Sequence, residues 1–383
     1  MKNTNLRLGS AALLATLSLT LPMSAFAGTF VYVSNAVDGD IATYEMDENG
    51  KLTPGEKVEA ADVVMPMAVS PDKAMLYAAA RSEPYRVFAY RIDPQTGALT
   101  PSGNSPTIDS MVYISLDKTG RYLLQASYGG AVIAVNEIKE DGTVAERPLQ
   151  VVPTARNPHS IRTDDSNSHL YVPSLGDDMI MEFSFDSATG NIVSNTPFAI
   201  KVDEGTGPRH FVISNDNRFL YVVSELRGEV LVFSIDGASG LLSKIGVVEG
   251  VPGSEGLKAG KPRKPVAAGT TAAPEDTSED VWSADIKITP NDRHLYITER
   301  TKSTIQEFSI DPESGMPTRL GSVETETQPR GIAIDESGKF LIASGERSDM
   351  ISVYAIQEDG ALEQAGRYPS GNGANWIEIV TTN

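Results

Sequence analysis

The sequence predicts an all-β fold, a seven-bladed β-propeller with four antiparallel strands per blade. Three observations carry that reading: a repeat of roughly 45–50 residues, a four-strand signature within each copy, and two incomplete ends that complete one another. The repeat is plain when "SPDKAMLYAAARSEPYRVFAYRIDPQTGALT" from Ser70 is set beside "SNDNRFLYVVSELRGEVLVFSIDGASGLLS" from Ser214. It returns as "TPNDRHLYITERTKSTIQEFSIDPESGMPT" from Thr289 and "DESGKFLIASGERSDMISVYAIQEDGALEQ" from Asp335. Two weaker copies, around "TGRYLLQASYGGAVIAVNEIKEDGTV" and "NSHLYVPSLGDDMIMEFSFDSATGNIV", lie between the first pair.

Each copy reads as a short apolar strand (a), a polar turn, a Leu-Tyr-type strand (b), an alternating strand (c) and, after a Gly-containing turn, a short strand (d). Alternation, β-branched residues and Asp/Asn/Gly turns favour strands over helices throughout. The N-terminal "TFVYVSNAVDGDIATYEMDENGKLT" supplies strands b, c and d without an a, and the C-terminal "GANWIEIV" supplies an a alone. Pairing the C-terminal strand with the N-terminal blade closes the ring and leaves no open sheet edge.

Two segments stand outside the repeat. Lys2 and Arg7 precede the apolar run "GSAALLATLSLTL", and "SAFA" ends at Ala27. This reads as a secretory leader over residues 1–27, cleaved after Ala27, and places the mature chain, from Gly28, in a bacterial periplasm. The run is too short to span a bilayer, so no membrane anchor is expected. Between residues 251 and 281 lies an insertion rich in Gly, Pro, Ala and charge. It reads as a long surface loop, with a lid over a site as the alternative.

Composition narrows the function classes. The chain of 383 residues carries 32 Lys+Arg against 51 Asp+Glu, a formal charge of −19, which argues against a nucleic-acid partner. There is no cysteine, so neither a disulfide framework nor a thiol nucleophile is available. No Gly-x-Ser-x-Gly elbow and no His-Glu-x-x-His spacing occurs, and no cofactor is expected. Oligomeric state is not legible.

In a propeller, the start of strand a and the end of strand b meet on one face of the central channel. At the first position the blades carry His159, Arg209, Ala284, Arg330 and Asn375, followed by Ser160, His210, Asp285, Gly331 and Trp376. At the second they carry Arg81, Tyr128, Leu175, Glu225, Arg300 and Glu346. Core positions keep one chemical type from copy to copy, whereas these change among cations, anions and aromatics, as an asymmetric ligand site requires. His169 and His294 precede Leu-Tyr pairs and read as scaffold. The arginines disfavour a metal and suit a carboxylate or a developing oxyanion, and a histidine or glutamate suits proton removal from water.

The motifs "EGTGPRHFVIS", "SADIKITPNDRHLYITERT" and "TETQPRGIAIDESGKFLIASG", in this order and at blade spacing, resemble the lactonase family of seven-bladed propellers. That family includes bacterial propeller-type 6-phosphogluconolactonases and fungal carboxymuconate lactonising enzymes. The resemblance implies hydrolysis of a sugar lactone to its aldonate, with His159, Arg209, Glu225 and Arg300 as the catalytic group. Arg209 and Arg300 would polarise the lactone carbonyl, and Glu225 or His159 would activate water. His210, Asp285, Arg330, Glu346, Asn375 and Trp376 would hold sugar hydroxyls or the product carboxylate. The export signal points to an unphosphorylated substrate such as glucono-1,5-lactone. The alternatives are a 6-phosphogluconolactonase, a lactonising enzyme acting on a dicarboxylate, and a non-catalytic propeller that binds a sugar acid.

Overall fold

The computed structural model describes residues 1–2, 28–253, 256–263 and 277–382. The expected leader and its cleavage point therefore lie outside the described residues apart from the first two, as does the middle of the insertion. Within what is described, the strands form seven antiparallel sheets, each a blade of the expected propeller. Blade 5 is representative, with strands Pro208–Ile213, Phe219–Ser224, Glu229–Ile235 and Leu242–Glu249 in spatial as well as chain order. Blade 1 closes the ring. Its strand a is the C-terminal Ala374–Thr381, paired antiparallel with Thr29–Asn35 from Thr29↔Thr381 to Asn35↔Ala374. Its outer edge is split, Leu52–Pro54 and Val58–Glu59 both pairing with Asp40–Met46.

Adjacent blades bury their apolar faces against one another. Val223, Val230 and Val232 of blade 5 pack on Leu295, Ile297 and Phe308 of blade 6, and similar clusters recur around the ring. The repeated Leu-Tyr pair has a second task. The buried phenols of Tyr32, Tyr77, Tyr171 and Tyr296 donate to the carbonyls of Gly97, Gly142, Gly240 and Gly360 at 2.8–2.9 Å. Each acceptor is the c–d turn glycine of the following blade, so the two repeated signatures clasp neighbouring blades together. A buried hydroxyl needs such a partner, and the turn needs its positive φ, +70° at Gly240.

His169 and His294 are explained by the same turns. A Cβ added to Gly240 would lie 2.3 Å from the His169 ring, and one on Gly360 would lie 2.3 Å from that of His294. Both histidines are buried blade-to-blade packing, away from the channel face.

Candidate active site

Strand a does not enter the channel as a regular strand. In blade 5 the register runs Pro208↔Ser224 and then Phe211↔Val222, so Arg209 and His210 together face one residue of strand b. Blade 6 repeats the shift between Ser283 and Ile286, freeing Ala284 and Asp285, and blade 7 repeats it at Arg330. Such bulges release residues from the ladder and re-aim their side chains. Arg209, His210, Ala284, Asp285 and Arg330, singled out at the start of strand a, are therefore bulged residues.

Arg209 is the centre of the constellation and is 1 % exposed. Its Nε donates to Glu225 Oε2 at 2.6 Å, and its Nη1 donates to the carbonyl of Ala284 at 2.5 Å. Arg300, from the next blade, donates Nη2 to the same Glu225 oxygen at 3.1 Å and to Ser283 O at 3.0 Å, and Nε to Trp282 O. Glu225 thus sits between two guanidiniums, with Arg209 Nη2 and Arg300 Nη1 left over from these bonds. Burial acts to raise the Glu225 carboxyl, but Arg300 and Arg209 together hold it below the usual carboxylate range. Burial pushes Arg209 down to about 10, short of neutralising it at physiological pH.

His210 links this group to Asp285. Its Nδ1 lies 2.9 Å from Asp285 Oδ1, and its Nε2 lies 3.1 Å from Arg209 Nη1. A guanidinium can only donate, so Nε2 is the acceptor and Nδ1 carries the proton, shared with Asp285. Burial first, and Arg209 second, push His210 down to about 3, while Lys287 and the His210 bond overcome burial to hold Asp285 well below the carboxylate range. His159 is edge-on to His210 and Tyr128, with ring centroids 5.2 and 5.5 Å apart. Burial, aided by Arg209, His210 and Arg330, depresses it well below 6.5, and its Nδ1 is buried without a partner.

Of the residues read from the sequence, His159, Arg209, His210, Glu225 and Arg300 are brought together, and Arg330 pairs with Glu346 at 3.0 Å on the same face. The other three have partners of their own. Asp285 accepts from His210, Lys287 Nζ and the Ile286 and Ile332 amides. Asn375 bonds Ser34 and the Gly373 carbonyl. Trp376 lies edge-on to His210, with ring centroids 5.8 Å apart, and donates Nε1 to Glu378. Three further residues line the mouth: Tyr128, Trp282 and Arg263. Tyr128 occupies a strand-b end already compared across the blades, and Trp282 lies one residue before the compared "SADI" strand. Arg263 belongs to the insertion and has no counterpart in any repeat.

Seven sheets in a closed ring are matched by the comparisons with known proteins. The family described as "Lactonase, 7-bladed beta-propeller" matches residues 25–379. The chain belongs to the lactonase family of seven-bladed β-propellers. It is thereby a lactone-hydrolysing enzyme, as the sequence resemblance implied. The 6-phosphogluconolactonase of Erwinia tasmaniensis is 37 % identical over 350 residues, covering 91 % of this chain and 98 % of that protein. That of an Enterobacter species is 36 % identical with the same coverage. The periplasmic gluconolactonase of Pseudomonas aeruginosa shares the fold, with a TM-score of 0.78 and 22 % identity over 93 % of this chain and 99 % of its own. Among the described residues no helix is long and apolar enough to cross a membrane, and no group of three or more His, Asp or Glu side chains is placed to hold a metal.

The buried histidines set an expectation for acid stability. A group held below its unfolded pKa contributes stability that is complete above the unfolded value and lost as pH falls toward the folded one. For His210 that window runs from 6.5 down to about 3, and His159 acts in the same direction. Urea midpoints are therefore expected to fall steadily from pH 7 to 5, before the carboxylates titrate. His210→Gln should flatten that slope, and a midpoint independent of pH over this range in the unmodified protein would contradict the assignment of neutral buried imidazoles.

Proposed function

We propose that the enzyme hydrolyses an aldonolactone, with glucono-1,5-lactone as its substrate, by direct attack of water and without a metal. The observation that carries this reading is the Arg209–Glu225–Arg300 bridge beside the unpartnered Nδ1 of His159. In the proposed reaction the lactone carbonyl oxygen lies against Arg209 Nη2 and Arg300 Nη1, where the charge of the tetrahedral intermediate develops. Water, deprotonated by His159, adds to the carbonyl carbon. The bond from that carbon to the ring oxygen then breaks, and the ring oxygen takes the proton back from His159 to become a hydroxyl.

The residues also rank the two candidates for water activation. Both arginines clamp Glu225 through Oε2 and stabilise its charge, which makes it a poor proton acceptor. His159 is neutral and its buried Nδ1 has no protein partner, so His159 takes the base role and Glu225 positions the arginines. His210 and Asp285 act one step further back, orienting Arg209. In this reading Arg330 and Glu346, paired at 3.0 Å, take sugar hydroxyls.

The unphosphorylated substrate rests on the export-type N-terminus, because sugar phosphates are scarce outside the inner membrane. A phosphorylated substrate is the second reading, favoured by the names of the curated relatives. The test is initial-rate acid release by chelator-treated mature protein on freshly dissolved glucono-1,5-lactone and 6-phosphoglucono-1,5-lactone. Faster turnover of the free lactone supports the proposal. Faster turnover of the phosphorylated lactone transfers support to the second reading, and loss of activity with chelator overturns the metal-free mechanism.

A further inference from the structure

The described end of the insertion is tied to three blades. The Gly260 amide lies 2.8 Å from Leu226 O of blade 5, and Val281 N, on the approach to blade 6, lies 2.8 Å from Lys258 O. A Cβ added to Gly260 would lie 2.4 Å from Val281 O, so no side chain fits at this crossing. At the far end, the carbonyl of Arg263 accepts from Tyr128 Oη of blade 3 at 2.8 Å. Residues 256–263 thus form a strap from blades 5 and 6 to blade 3.

The strap bears on Arg300 through Trp282. Arg300 donates Nε to Trp282 O and Nη2 to Ser283 O and Glu225 Oε2. Such bonds run close to the guanidinium plane and resist tilting of that plane only weakly. The face is backed by the Trp282 ring, whose centroid lies 3.7 Å from Arg300 Cζ. Trp282 is only half-buried, and an indole covered on one side is free to swing outward. Arg263 supplies the other cover, with Cζ 3.2 Å from the same centroid. Two guanidiniums so close to one centroid would collide on a shared face, so they occupy opposite faces. Each cation is attracted by the π density, and the ring keeps the two charges apart. The Trp282 main chain is fixed already, its amide donating to Glu299 Oε1 at 2.8 Å, so the stack has only the side-chain torsions to set.

We propose that Arg263 is a positioning residue for lactone hydrolysis: stacked on the outer face of Trp282, it presses the indole against Arg300 and holds Arg300 Nη1 where the carbonyl oxygen gains charge. The inference rests on the lactonase reading above and adds to it a residue from outside the repeat. Oxyanion stabilisation depends on donors held in place before the charge forms, and a misplacement of about 1 Å can cost ~10²-fold in rate. The Tyr128 bond anchors the strap at its far end. It uses the Arg263 carbonyl, which survives replacement of the side chain, so the stack and the anchor can be removed separately.

The test measures kcat, KM, melting temperature and acrylamide quenching of tryptophan fluorescence for unmodified protein, Arg263→Ala, Arg263→Met, Arg263→Lys and Tyr128→Phe. The substrate is glucono-1,5-lactone or 6-phosphoglucono-1,5-lactone, whichever unmodified protein turns over faster. The chain has 2 tryptophans, Trp282 and Trp376, so uncovering Trp282 is visible in the quenching. Arg263→Ala is expected to raise quenching and to lower kcat about tenfold, with KM changed less than about threefold. Lysine, which returns a cation to the indole face, should recover most of the rate, and methionine, which returns only bulk, should not. Tyr128→Phe should show a smaller loss of kcat. An Arg263→Ala protein with kcat within about twofold of the unmodified value, or impaired through KM alone, overturns the inference and leaves the lactonase reading intact. A loss of kcat that tracks a fall in melting temperature and is not recovered by lysine marks a structural role and overturns it equally. No turnover of either lactone by unmodified protein overturns the lactonase reading, and this inference with it.

Discussion

Arg209→Lys is expected to lower kcat for lactone opening by about 10²–10³-fold, equivalent to ~2.7–4 kcal/mol of lost transition-state stabilisation. The reason lies in how many partners the guanidinium serves at once. It holds Glu225 through Nε, the Ala284 carbonyl and His210 through Nη1, and keeps Nη2 for the ligand. A lysine ammonium is a point charge that cannot reproduce this planar set. KM should change less than kcat, because the carbonyl gains most of its charge only in the transition state. Arg209→Met is a harsher variant, since removing one partner of a buried pair costs ~3–5 kcal/mol of stability. The lysine variant keeps the positive charge and so separates catalysis from folding. A lysine variant with unchanged melting behaviour and nearly unchanged kcat would show that Arg209 is structural.

His159→Ala is expected to lower kcat by about 10²–10⁴-fold, the usual contribution of a positioned proton acceptor. Its pH profile is equally informative. Burial, Arg209, His210 and Arg330 keep His159 neutral well below its ordinary value of 6.5. The base form is therefore present across neutral pH, and the unmodified enzyme should show no acid limb near 6.5. Above that point the rate should stay level until other groups titrate. His159→Gln should lie below the unmodified enzyme at every pH. Glu225→Gln should instead act by weakening the hold on both arginines, with a loss of stability accompanying the loss of rate. A rate that falls tenfold per unit below pH 6.5 would show that the base is not this depressed imidazole.

Much of this molecule is legible in its sequence because a repeat carries its own alignment. The Leu-Tyr pair and the turn glycine recur in several blades for one physical reason, the clasp that Tyr171 makes on Gly240 and Tyr296 on Gly360. The incomplete ends announce the closure that Ala374–Thr381 provides. Superposing the copies also finds the channel positions, since scaffold residues repeat and the residues at the channel face do not.

What the copies do not carry is the direction in which a bulged residue points. His210 and Asp285 occupy one repeat position in neighbouring blades, yet they bond each other, and His210 alone of the two meets Arg209 and the His159 ring. Asn375 shares the repeat position of Arg209 but turns to Ser34 and Gly373. The insertion is opaque for a simpler reason. Arg263 has no copy to be compared with, and only the path of residues 256–263 across the ring brings it to Trp282.

The central claim is that water opens the lactone at its carbonyl carbon with no covalent enzyme intermediate. It is tested most directly by a single turnover in ¹⁸O-labelled water, with enzyme in excess and over a time in which spontaneous opening is negligible. The account predicts one labelled oxygen in the carboxylate of every product molecule and none in the protein. An unlabelled first-turnover product, with the label recovered in the Glu225 side chain, would contradict it.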